Sequence, residues 1–376
     1  MKNLLKKMLC LFLLLMVVFV LPGCREKDRY KIIVSEVAHS VFYAPFYVAI
    51  NEGYFEEEGL TIELILGNGA NNVMASLLSG DAQIGLAGAE ATIYVYTQGQ
   101  KDYAINFCQL TQKDGNFLVG REKVDQFDWN SLKGKSILGG RQGGMPVMVL
   151  EYALKQKGLL VGQDDESVID NGGVNVRTDI QFAALAGAFT SGEGDYVTLF
   201  EPTATLTEKA KEGYILASLG EQTDLIPYTN YFCNKSYMEE NEDVIQKFTN
   251  AIYKGVKYVY SHTPEEIAKS IHSHFTSSTI EELTTVMERY LAIEAWAKSP
   301  VLNKEAYELF LDIMEEANEL DERTPYVGDI YLRRIECKNT HVTLLHKFVH
   351  IDCNFDNESH YQSYHYRNNF HLEYVQ

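Results

Sequence analysis

SGDAQIGLAGAEATIYVY, residues 79–96, carries a turn, a strand and a helix start in one stretch. Ser79-Gly80-Asp81 has turn chemistry. Residues 83–87 are a short apolar strand, and from Glu90 onward the apolar residues follow helical spacing. Between them stand Gly88 and Ala89, nearly without side chains, and then a carboxylate. A packed core gains nothing from such a junction. A ligand that must reach the backbone at the end of a strand does gain, because no side chain stands in its way.

The same rhythm extends to both sides. Upstream, residues 30–35 read as a strand, 42–51 as a helix ended by Gly53, 60–66 as a strand and 71–78 as a helix; downstream, 103–110 is a strand. The pattern then restarts. Residues 116–120 and 136–138 are strand-like, 139–144 form a glycine-rich turn, and 145–157 are a helix that Gly158 stops. A strand over 174–178, a helix over 180–189, a strand over 195–200, a helix opened by Glu201-Pro202 and a strand over 214–218 complete a second unit. This alternation predicts an α/β fold with a mainly parallel sheet in each unit. From about Lys235 the chain turns helical. Ile245, Phe248, Ile252, Val256 and Val259 step by three and four and form one packing face.

Composition narrows the function. The net charge of −19 argues against nucleic acid as a partner, and 46% hydrophobic residues support a real core. Lys2, Lys6 and Lys7 precede an apolar run over 11–20, and then comes Leu21-Pro22-Gly23-Cys24. Such a run is a secretory signal, too short for a membrane span. The cysteine directly after the glycine resembles a bacterial lipoprotein signal. That resemblance implies cleavage before Cys24, a diacylglycerol on its sulfur, and a place at the outer face of the cytoplasmic membrane or in the periplasm. Residues 1–23 are thus read as signal and 24–28 as a lipidated linker. Cys108 and Cys233 lie in apolar strand-like runs and read as buried thiols, whose pairing the spacing leaves open. No metal spacing, nucleophile–base pair or cofactor motif is present, and no cofactor is expected. The turn over 139–144 lacks the lysine-serine pair of a nucleotide loop.

In open α/β sheets, ligands sit beyond the carboxyl ends of strands, where helices begin and backbone N–H groups point outward. Five junctions have that character: Ser40 and Tyr43; Asn68, Gly69 and Ala70; Gly88 and Glu90; Arg141, Gly143 and Gly144; and Glu201. All would converge on one cleft if the two units face each other. Glu90 would favour an amine or amidine, or simply complement its own helix dipole. Arg141 and the glycine-rich helix start would favour a sulfonate or phosphate, unless Arg141 is only a surface residue. Tyr43, Phe182 and Tyr228 could stack on a planar ring. His39, near Glu36, reads as structural.

Three strings in order carry a resemblance: FYAPFYVA over 42–49, EGYFEEEGL over 52–60 and LLSGDAQIG over 77–85, with Gly88-Ala89-Glu90 and Phe200-Glu201-Pro202 in keeping. Across about residues 31–326 the chain resembles the solute-binding proteins of ABC importers. Within them it is most similar to the nitrate/sulfonate/taurine and thiamine-pyrimidine-precursor (NMT1/THI5-like) group. The resemblance implies a two-lobed periplasmic-binding-protein fold of type II, with two crossover strands and a ligand cleft between the lobes. Lobe one would be 29–111 and 223–326, and lobe two 112–222. It also implies a monomer that closes on a small molecule and docks on a permease with its ATPase, without doing chemistry. A thiamine-type pyrimidine precursor or similar aromatic nitrogen compound is the expected ligand, with an alkanesulfonate or taurine as the alternative. A sensory lipoprotein is a further alternative. Some relatives of the pyrimidine group are enzymes that use a cysteine-rich motif, which is missing over 31–326.

Residues 327–376 depart from that pattern. Six of the ten histidines lie between His341 and His371, and glycine is reduced to Gly328. This segment reads as an extension that replaces the usual last residues and is expected to be disordered; its irregular histidine spacing argues against a metal site.

Overall fold

Tyr30–Glu36 forms the first strand (β1) because alternate residues, Ile32 and Val34, have a core to enter, and both are buried. In this computed structural model the described residues are 30–326. The signal, Cys24 and the segment over 327–376 lie outside them.

From β1 the chain passes a short turn at Val41–Tyr43 and enters α1 (Ala44–Asn51) and α2 (Tyr54–Glu57). Then follow β2 (Leu60–Leu66), α3 (Ala70–Ser79), β3 (Ile84–Gly88), α4 (Glu90–Thr97) and β4 (Ala104–Thr111). The second set is β5 (Asn116–Gly120), β6 (Lys135–Leu138), α5 (Met145–Gln156), β7 (Val161–Gln163), α6 (Ser167–Asp170), β8 (Val174–Arg177), α7 (Leu185–Thr190), β9 (Tyr196–Phe200), α8 (Thr203–Lys209) and β10 (Tyr214–Ser218). The chain returns through β11 (Thr229–Asn234) and ends in α9 (Lys235–Glu240), α10 (Glu242–Ser261), α11 (Pro264–Ile271), α12 (Ile280–Ala292) and α13 (Lys304–Glu316).

Two sheets result. One has the order β2-β1-β3-β11-β4, the other β10-β5-β9-β6-β8-β7. The fold is therefore α/β with two lobes, crossed once between β4 and β5 and once between β10 and β11. The sheets are more mixed than the alternation suggested. β1, β2 and β3 run parallel, as do β6 to β9, but β11 is antiparallel to both its neighbours, and β5 and β10 are also antiparallel. β5 and β11 each follow a crossing and so enter a sheet without the helix that makes neighbours parallel, whereas β10 enters through α8 and is antiparallel to β5 because β5 is itself reversed relative to β9.

Lobe one buries the long amphipathic face of α10: Ile245, Phe248, Ile252, Val256 and Val259 are all enclosed. Phe248 meets the rings of Phe46, Phe55, Phe107 and Tyr231. Gly255 lies so near the first helix that a β-carbon there would stand 2.1 Å from the Pro45 carbonyl oxygen. Helices α11 and α12 each begin with a complete capping box, Thr263 with Glu266 and Thr279 with Glu282. Cys108 and Cys233 are buried free thiols. The strand register sets Tyr231 opposite Cys108 and Ile105 opposite Cys233, so the two sulfurs do not face each other.

Three local expectations shift. The helix over 180–189 is shorter, with a 3-10 turn at Phe182–Ala184 before α7, because those three residues are exposed and have no apolar face to bury. Pro202 is the cap residue of α8, one position before its first turn, and follows a cis peptide bond from Glu201. β7 was not anticipated, being three half-buried residues, Val-Gly-Gln.

Candidate functional site

The carboxyl ends of β1 and β3 lie side by side, since the strands pair in parallel. The residues that follow them, 37–43 and 89–90, therefore share one edge of lobe one. In lobe two, β6 pairs in parallel with β8 and β9, which brings the ends at Leu138, Arg177 and Phe200 to one edge. The two edges meet where the chain crosses. Gly115, at the first crossing, makes room for this meeting: a β-carbon there would lie 2.6 Å from the Phe42 ring and 2.9 Å from the Phe200 ring.

Aromatic rings line that meeting. Phe42 of lobe one touches Tyr43, Phe200, Tyr228 and Tyr290, with ring centres 5.1 to 5.8 Å apart. Trp296 fixes Phe42 by donating its indole N–H to the Phe42 carbonyl at 2.8 Å. Phe182, 46% exposed, packs on Phe200 at 5.5 Å, so the row of rings runs from the surface to the interior. Tyr43 and Tyr228 are 6% and 3% exposed. Burial pushes both phenols up, so they stay neutral and act as hydrogen-bonding groups.

Glu90 stands among them, 3% exposed. Its Oε2 is buried and has no hydrogen-bond partner among the described residues. Burial pushes the carboxyl up to about 7, against smaller opposing effects of the backbone N–H groups of Glu90 and Met145 and of the Arg141 guanidinium. The Gly88-Ala89-Glu90 junction now has a physical reason. The carboxyl folds back over the end of β3, and a β-carbon on Gly88 would lie 2.0 Å from Glu90 Oε2. Gly88 is glycine because the carboxylate occupies the place of its side chain.

The element expected to attract anions faces the element expected to attract cations. Met145 opens α5, Gly144 is its cap residue, and Arg141 is exposed in the same turn. Met145 and Arg141 act on Glu90 from the other lobe. The lobes also touch directly there, since Tyr94 donates its hydroxyl to the Gly143 carbonyl at 2.9 Å. Gly143 adopts φ +64°, a left-handed conformation, and a β-carbon there would stand 2.9 Å from Glu319. On the same side Lys155 donates to the Glu316 carbonyl at 2.8 Å.

The other expected residues divide. Ser40 spends its oxygen as a cap, accepting from the Phe42 N–H at 3.2 Å. Asn68 is exposed in a left-handed conformation, and Gly69 and Ala70 lead into α3, with the Gly69 N–H bound to the Val37 carbonyl of lobe one at 3.0 Å. Glu201 is engaged within the protein. Its carboxylate accepts from the Thr205 N–H and hydroxyl at 2.9 and 2.8 Å and pairs with Arg289 at 2.7 Å. Three donors of the protein thus converge on it. Both ring nitrogens of His39 are engaged: Nδ1 lies 2.8 Å from Glu36 Oε1, and Nε2 lies 3.0 Å from the His274 carbonyl.

Sequence reasoning missed Asp114, Asn116 and Arg289. Asp114, fully buried at the first crossing, accepts from the Asn116 N–H and amide at 2.7 and 2.8 Å, with the Tyr228 hydroxyl beside it. Burial raises its carboxyl to about 7. Asp114-Gly115-Asn116 is turn chemistry, and nothing local marks it as buried. Among the described residues no cluster of His, Cys, Asp and Glu could hold a metal ion.

Comparison with known proteins agrees with this architecture. The family model described as NMT1/THI5 like matches residues 41–267. A putative binding protein, YtlA of Bacillus subtilis, is 43% identical over 309 residues, covering 82% of this chain and 90% of its own. A 4-amino-5-hydroxymethyl-2-methylpyrimidine phosphate synthase of Aspergillus parasiticus is 23% identical, covering 58% of this chain and 63% of its own. Among solved structures, the ligand-binding component of an ABC-type import system from Staphylococcus aureus, with zinc bound, superposes with a TM-score of 0.62 at 14% identity, covering 79% of this chain and 94% of that one. That likeness concerns the fold.

Proposed function

Because the chain belongs to the NMT1/THI5-like family, we propose that it is an extracytoplasmic solute-binding protein of an ABC importer and not an enzyme. It takes one small molecule between its lobes and delivers it to a membrane permease with its ATPase. Closure is a population shift, since a ligand that touches both lobes only when they meet favours that state. The protein acts as a monomer, held at the outer face of the membrane by lipid on Cys24.

The ligand is a thiamine-type pyrimidine precursor or a similar aromatic nitrogen compound. One observation carries this reading. Glu90 holds a buried, unpartnered carboxylate oxygen within the aromatic meeting of the lobes. An exocyclic amine or a protonated ring nitrogen would supply the missing donor, and Tyr43 and Tyr228 would flank the ring. The second reading, an alkanesulfonate or taurine, draws on Arg141 and the start of α5. An anion there must compete with Glu90, which faces the same groups.

The deciding experiment is a thermal-shift screen of refolded protein against aminopyrimidines, thiamine, taurine, alkanesulfonates and nitrate. At 100 times its Kd a ligand adds about 2.7 kcal/mol to stability. A shift with aminopyrimidines that Glu90→Gln abolishes supports the first reading. A shift with sulfonates that Arg141→Ala abolishes replaces it with the second.

A further inference from the structure

We propose that Arg289 is the latch residue that sets the equilibrium between parted and joined lobes. The inference goes beyond ligand identity and concerns the motion by which any ligand is held.

Arg289 lies in the last turn of α12, in the part of lobe one built after the chain returns. Its partners all belong to lobe two. Nη1 donates to Glu201 Oε1 and to the Thr205 hydroxyl, both at 2.7 Å, and Nη2 donates to Glu208 Oε2 at 3.0 Å. The guanidinium fork thus spans the end of β9 and one face of α8. The side chain of Glu201 is fully buried, and Arg289 is its one cationic partner among the described residues. The next residue, Tyr290, donates its hydroxyl to the Gly115 carbonyl at 3.3 Å and accepts from the Glu201 N–H at 3.1 Å. One turn of α12 therefore grips both the crossing segment and the strand end of lobe two. Further along the same two helices, Lys209 and Glu282 pair at 3.0 Å. Parting α8 from α12 leaves Glu201 with only the donors of its own lobe, so the ion pair favours the joined state.

The test needs no ligand. Hydrogen exchange of the full-length, ligand-free protein is followed for Arg289→Gln, Glu201→Gln and the double variant. The amide of Met145, which bonds to the Glu90 carboxyl across the lobes, reports on the lobe interface far along the chain from the latch. Residues 248–259 of α10 report on the core of lobe one. Losing one charge-assisted bond is expected to speed exchange about tenfold at Met145 while α10 is unchanged. The double variant should be no faster than Arg289→Gln alone, because that change already removes the Glu201 pair together with the Glu208 one. Equal acceleration in α10, no acceleration at Met145, or additive effects in the double variant would each overturn the proposal. Since no ligand is present, such a failure is separate from any failure of the ligand reading.

Discussion

Gly88 and Glu90 show how a single position can be fixed by a neighbour two residues away. The sequence reveals a small residue and a carboxylate at a strand end, which is enough to suggest a place where a ligand could approach. It does not reveal that the carboxylate turns back over the glycine. Gly88→Ala is expected to push the Glu90 carboxyl out of its place, at a cost of about 1–3 kcal/mol in urea denaturation, and to abolish any ligand shift. Unchanged stability and binding would mean that the carboxyl does not lie where it is described. Tyr43 and Arg141 were singled out in the same way, from residue type after a strand end, and Tyr228 only as an aromatic ring. Arg289 and Asp114 were not. The value of Arg289 depends on Glu201, 88 residues earlier, and Asp114 looks like any turn aspartate until its burial is known.

Elements were legible in proportion to their length and the regularity of their buried face. α10 shows its packing face over about four turns, and every residue of that stripe is enclosed. Phe248→Ala should cost about 3–5 kcal/mol, because four rings lose their common neighbour. A loss below 1 kcal/mol in equilibrium unfolding would contradict that packing. The capping boxes were readable as Thr-Pro-Glu-Glu and Thr-Ile-Glu-Glu. Thr263→Ala should cost about 1 kcal/mol, since the exposed cap can be replaced in part by water. Short elements gave no such signal. β7 is only three residues with a central glycine, and the turn before α7 has its side chains in solvent, so neither has a periodicity to read.

At the scale of the molecule, three buried carboxyls shape the response to pH. Glu90, Asp114 and Glu151 are each pushed up to about 7 by burial. From their ordinary values up to 7 the folded chain holds more protons than the unfolded one, so stability falls as pH rises through that window. His39, raised by its bond to Glu36, also loses its contribution as pH rises. His274, lowered by burial, opposes this as a single half-buried group. The expected outcome is a higher Tm at about pH 5.5 than at about pH 8. A Tm that climbs over that interval would show the carboxyls to be ionised and compensated.

The return of the chain to its first lobe was visible only through the family resemblance, because strand order is a non-local property. It has a consequence for how the molecule is made. All six strands of lobe two come from one uninterrupted stretch, 116–218, so that sheet can assemble as the chain is synthesised. β4 has no partner in its sheet except β11, whose first residue, Thr229, comes more than a hundred positions later. Until then the first lobe has a missing slat and two open strand edges, which is where contact order slows folding and where neighbouring chains can pair. The second lobe in sequence should therefore be the first to mature. Pulse-labelled hydrogen exchange during refolding would show protection at 116–120 and 196–200 before 104–111. Simultaneous protection would mean that the lobes fold as one cooperative unit.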